Sequence, residues 1–126
     1  MKNAGTILIY NCSGEPFSKL KQIFAMLRLR MRVVEPSRYH ISLGELAQGK
    51  GEPGAEAEPL PEPMLVFCYM PQALLNQVLE VIRVAKLPPI SLKAVLTDTN
   101  QDWNTHQLYE ELLKERNSFA GEAKNP

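Results

Sequence analysis

Residues 64–70, MLVFCYM, place apolar side chains at successive positions, and residues 6–12, TILIYNC, do the same near the start of the chain. Side chains on a strand alternate between its two faces, so a sheet with one wet face alternates apolar with polar residues. Two runs without that alternation predict strands covered on both sides. Their β-branched and aromatic residues favour extended backbone. Ser13, Gly14 and Pro16 then mark a turn after the first run.

Working outward, Phe17, Leu20, Ile23, Phe24 and Leu27 recur at helical spacing and predict an amphipathic helix over 16–30. MRVVEP, 31–36, predicts a second, shorter strand stopped by Pro36. Ser42 and Glu45 stand in capping-box relation, with Gly44 keeping the helix they open short. Residues 49–63, rich in Gly, Glu and Pro, lack the apolar content to pack and predict a mobile loop. After the run at 64–70, Leu74, Leu75, Val78, Leu79, Ile82 and Ala85 predict a second long helix that Pro88 and Pro89 must end. SLKAVLT, 91–97, is a fourth strand. Asn104 and Gln107 again match a capping box, and Leu108, Tyr109, Leu112 and Leu113 form one stripe on a last helix reaching about Asn117, with a frayed tail at 118–126.

The two halves resemble each other. Ile7 to Tyr10 align with Met64 to Phe67, and the helical positions after them follow with a period near 57 residues. That is the pattern of an internal duplication, or of two independent solutions to one packing problem. Two β-α-β(-α) halves predict a single α/β domain over residues 1–126, an α/β sandwich around a four-stranded sheet. A ferredoxin-like layout, antiparallel with both long helices on one face, is preferred. The alternative is a parallel, flavodoxin- or receiver-like sheet, supported by the long connection at 37–62. Receiver chemistry itself is missing, because Asn11 and Cys12 stand where an acidic pair is expected and Cys68 stands where the phosphoacceptor is expected.

Composition narrows the function classes. The 126 residues are 44% hydrophobic and 22% charged, and 14 basic residues balance 14 acidic ones. No overall field recruits nucleic acid or an anionic membrane. The apolar run at the N-terminus is too short for a secretory core or a membrane span, so a cytoplasmic protein is expected. Cys12 and Cys68 lack metal-site or redox spacing and read as buried free thiols, and His40 and His106 have no catalytic or ligand motif beside them. Neither a metal nor a cofactor is implied. Tyr10, Phe67 and Tyr69 offer only half of an RNA-recognition pattern. The cluster Arg28, Arg30 and Arg32, where the first helix meets the second strand, reads as capping and solvation ahead of an anion site.

The chemistry-bearing stretch is KAVLTDTNQDW, 93–103. Lys93 to Thr97, then Thr99-Asn100, then Trp103 and a Leu/Glu-rich helix resemble the signature of a small bacterial, Firmicutes-type domain family of unknown function. The resemblance covers residues 63–117, and EPMLVF at 62–67 and YEELLKE at 109–115 share in it. It implies kinship and a shared fold, and it carries no catalytic residue across. Read by its chemistry, the stretch is a strand-to-helix corner whose polar side chains bond neighbouring backbone while Trp103 folds over the core. The competing reading is a ligand site formed by Lys93, Thr97, Asp98, Asn100 and Trp103, with Asn11 and Ser13 at the equivalent corner of the first half. The expected function is a non-catalytic regulatory or protein-interaction module, a homodimer because the narrow stripe of the last helix leaves sheet to be covered. A small-molecule or anion-binding sensor or enzyme at the Thr97–Trp103 corner is the alternative, and single-stranded RNA binding a weaker one.

Overall fold

The structure, a computed structural model, describes residues 5–11, 15–85, 90 and 92–124, with side chains for all of these except 15, 16 and 117–124. In chain order the elements are β1 (Thr6–Tyr10), α1 (Glu15–Met26), β2 (Arg30–Val33), α2 (Leu43–Ala47), β3 (Met64–Cys68), α3 (Gln72–Val84), β4 (Leu92–Val95) and α4 (Thr105–Lys124). Short 3₁₀ turns at Pro36–Arg38 and Asn100–Asp102 precede α2 and α4. Of the two expected capping boxes, the Asn104–Gln107 box forms in full and the Ser42–Glu45 box in half. Ser42 Oγ accepts from the Glu45 N–H, and Asn104 and Gln107 exchange side-chain-to-backbone bonds of 3.0 and 2.9 Å. Helix α4 runs on to Lys124, past the Asn117 boundary drawn from its stripe.

The sheet order is β2-β1-β3-β4. Within each half a helix carries the chain back to the starting end, so β1 pairs parallel with β2, and β3 with β4. The halves join through their first strands, which run antiparallel with Leu8 opposite Val66. The result is a mixed sheet. It is neither antiparallel throughout, as the ferredoxin-like expectation required, nor parallel throughout, as the flavodoxin-like alternative required. The side-chain pattern of a doubly buried strand carries no information about the direction of its neighbour.

Both faces of the central strands are covered within one chain. Ile7, Ile9, Leu65 and Phe67 pack against Leu20 and Phe24 of α1 and Val78 of α3. Leu8, Tyr10, Met64, Val66 and Cys68 pack on the other side against Leu43 and Leu46 of α2, Leu108 of α4, and Tyr39, Ile41 and Leu60 from the connections. No residue from Ile7 to Tyr10 or from Met64 to Cys68 is more than 2% exposed. Each such aliphatic side chain contributes roughly 1.5–3 kcal/mol relative to exposure. The uncovered face that motivated a second subunit is therefore filled by α2, α4 and the connections between them.

The order of elements repeats: strand, helix, strand, 3₁₀ turn, helix. The backbone repeats with it, since Asn11 and Tyr69, the residues following β1 and β3, both have left-handed φ of 55° and 60°. Asparagine takes that conformation readily, whereas for tyrosine it costs about 1–2 kcal/mol. The loop at 49–63 forms no helix or strand, but Leu60 within it is buried. Its N–H donates to the Tyr39 hydroxyl at 3.2 Å and its carbonyl accepts from Asn11 Nδ2 at 2.8 Å.

Candidate functional site

At the end of β4 the chain must turn from an edge strand into α4, and Asn100 organises the turn. Its Oδ1 accepts from the Thr97 N–H at 2.8 Å, its Nδ2 donates to the Val95 carbonyl at 3.0 Å, and its own N–H donates to Thr97 Oγ1 at 3.1 Å. Asn100 is only 8% exposed, so these bonds are shielded from water. Both ends of its amide and the Thr97 hydroxyl oxygen are thus engaged inside the corner. Trp103 is half-buried against the core beside α2 and α4. Its N–H donates to the Asn100 carbonyl at 3.0 Å, and its carbonyl accepts from the Leu43 N–H at 2.8 Å, which ties the corner to α2. Gly44 allows that approach, because a Cβ there would stand 3.3 Å from the Gln101 carbonyl.

A groove of about 400 Å³ runs along the outer edge of β4. Leu75 and Leu79 of α3 form one wall, Glu111, Leu112 and Glu115 of α4 form the other, and Val95 and Trp103 lie between them. Lys93, Thr97, Asn100 and Trp103, all singled out from the sequence, line it. Asp98 instead faces a neighbouring concavity of about 420 Å³, with Thr97, Tyr69 and Met70. Asn11 lies at the opposite end of the sheet, since the register brings its neighbour Tyr10 to Met64 and thus to Leu92. Ser13 lies outside the described residues. The α3 and α4 wall residues were missed because their spacing reads as core. Only the edge position of β4 shows that part of each stripe faces outward.

The edge itself has a definite set of free groups. Leu96 N–H donates to the Phe67 carbonyl at 2.9 Å, so every second residue of β4 points its backbone at β3. Lys93 and Val95 consequently direct their N–H and C=O groups outward. The Val95 carbonyl is taken by Asn100, and the Lys93 ammonium donates back to the Ile90 carbonyl. Both are ways of blunting an edge strand. The Lys93 N–H and C=O and the Val95 N–H are left over.

Two reactive groups in the core are sealed, and Cys12 lies outside the described residues. The Tyr10 and Thr105 hydroxyls meet at 2.9 Å in the core, and burial holds the phenol well above its usual range. Burial also pushes the Cys68 thiol up to about 12, the opposite of an activated nucleophile. Among the described residues no group of three or more His, Cys, Asp or Glu could hold a metal ion. No helix among them is long and apolar enough to cross a membrane.

Residues 63–119 match the model of a family described as a domain of unknown function (DUF3783). The match covers rather less than half of the chain, spanning β3, α3, β4 and most of α4, and so includes every wall of the groove. This part of the chain is similar to that family. No curated protein and no solved structure matches the chain.

Proposed function

We propose that the domain is a non-catalytic protein-interaction module that accepts an extended segment of another protein along β4. The observation that carries this reading is the groove itself: an edge strand with outward backbone groups, set between the leucines of α3 and α4. Strand addition draws affinity from main-chain bonds and specificity from pockets for alternate side chains, and both components are present. Glu111 and Glu115 on the α4 wall favour a partner segment with basic residues on that side. The ligand-site alternative at the corner has less to work with, because Asn100 and the Thr97 hydroxyl oxygen are engaged internally.

A second copy of the chain is the competing occupant. Pairing two β4 edges about a twofold would bring two Lys93 side chains to the same face, with no acid on β4 to offset them. Selection from a displayed library of random peptides tests the proposal, with the single tryptophan, Trp103, as the fluorescent reporter of the groove. Selected peptides should bind Val95→Pro, which lacks one outward N–H, roughly tenfold more weakly, or about 1.4 kcal/mol. Proline at an outward edge position leaves the β3 ladder intact. Equal binding to both proteins would sink the reading, and a stable dimer of the free chain through β4 would replace the partner by a second copy.

A further inference from the structure

The opposite edge of the sheet repeats the architecture of β4 with different chemistry. Arg30 and Val34 donate backbone N–H groups to Gly5 and Ile9, each at 2.9 Å, so the even positions of β2 face β1 as those of β4 face β3. Arg32 pairs with Leu8, whose side chain packs toward α2, which places the Arg32 side chain on the α2 side. There Arg32, Arg38 and Lys50 surround a concavity of about 250 Å³ whose remaining lining includes Met31, Val33 and Leu46.

The two guanidinium groups are held in place. Arg32 Nε donates to the Ala47 carbonyl at 3.1 Å, and Arg38 Nη1 donates to the Gly51 carbonyl at 3.1 Å. Helix α2 ends in a Schellman turn: the Lys50 N–H donates to the Glu45 carbonyl at 2.8 Å and the Gly49 N–H to the Leu46 carbonyl at 3.0 Å. Gly49 has φ of 75°, and a Cβ there would stand 2.6 Å from Arg32 Nη1. Glycine is favoured there by the left-handed turn, and the Arg32 guanidinium lies against it. Among the described residues the ion pairs are Arg83–Glu80, Lys114–Glu111 and Arg116–Glu62, so none of these three cations is held in an ion pair. In a chain with formal net charge +0, this concentration of positive charge is local.

We propose that this concavity binds the phosphate group of a small soluble phosphorylated ligand. Two positioned guanidinium groups and a lysine ammonium match the donor requirement of a phosphate dianion, since a guanidinium offers forked donors and an ammonium offers a compact charge. The volume lies below the roughly 300–1,000 Å³ of sites for drug-sized ligands, so it suits a phosphate group with a few attached carbons. The site is distinct from the β4 groove and does not depend on the reading of that groove.

The test uses the full chain with inorganic pyrophosphate and glycerol phosphate as probes, at ionic strength held constant with sodium chloride. At about a hundredfold excess of probe over Kd the melting temperature should rise by roughly 10 °C. Arg38→Gln with Lys50→Ala should melt near the wild-type temperature without probe and lose most of the rise. Arg38→Gln alone serves if the double variant folds poorly. Val95→Pro should respond like wild type, which separates this site from the β4 groove. No rise in the wild type, or the same rise in the Arg38 and Lys50 variants, would overturn the proposal. So would binding of a single-stranded RNA oligomer through these residues without any response to pyrophosphate.

Discussion

Asn100 shows how much one side chain can organise. Its amide accepts from one backbone group and donates to another within a buried corner, and alanine would leave the Thr97 N–H and the Val95 carbonyl without those partners. Asn100→Ala should cost about 2–3 kcal/mol in urea denaturation, with the loss concentrated at the β4–α4 junction. The sequence pointed to this residue, because Thr, Asp and Asn after a strand are the types that bond local backbone. It did not point to Tyr69. A left-handed residue is legible when it is Gly or Asn, as at Asn11, and invisible when it is an aromatic. Tyr69→Asn should therefore stabilise the fold by about 1 kcal/mol, read as a rise in melting temperature of roughly 4 °C. An unchanged or lowered melting temperature would show that the half-exposed ring makes good its backbone strain.

At the scale of elements, helices were easier to locate than connections. The spacing of Leu20, Phe24 and Val78 and the two capping boxes placed α1, α3, α2 and the start of α4, because a helix exposes its period in the sequence. The loop at 49–63 was read from average composition, which hides its anchors, Leu60 chief among them. Leu60 enters the core beside Tyr39, while residues 51–56 stay exposed. The two parts should separate in experiment. Leu60→Ala should cost about 2–4 kcal/mol, whereas excision of residues 52–56 should cost under about 1 kcal/mol, because closure entropy changes slowly with loop length. Comparable losses from both would mean that the exposed part is docked as firmly as the anchor. The β4 groove escaped the sequence for a related reason: Leu75, Leu79 and Leu112 look like core until β4 is known to be an edge.

For the whole molecule, the unbroken apolar runs foretold that β1 and β3 would be covered on both sides, but not that the chain would supply both covers itself. Direction also escaped, since parallel outer pairs and an antiparallel centre follow from how the halves join and not from any residue pattern. The doubly covered core sets a pH limit. Burial raises the Cys68 thiol from 9.0 to about 12 and raises the Tyr10 phenol further, so the folded state favours both neutral forms. Their stabilisation is complete below about pH 9 and is lost as pH climbs toward 12 and beyond. Melting temperature should fall over that window, and Cys68→Ala should show a shallower fall from a lower starting point. A fall of equal steepness in the variant would assign the limit to other groups.

The central claim is that β4 is an edge built to receive an extended segment, and amide hydrogen exchange reads it directly. In the free protein the Lys93 and Val95 amides should exchange quickly while those of Ala94 and Leu96, directed at β3, are protected. With a selected peptide bound, Lys93 and Val95 should become protected together and Trp103 fluorescence should shift. A peptide that shifts Trp103 while both outward amides exchange at their free rates would contradict strand addition.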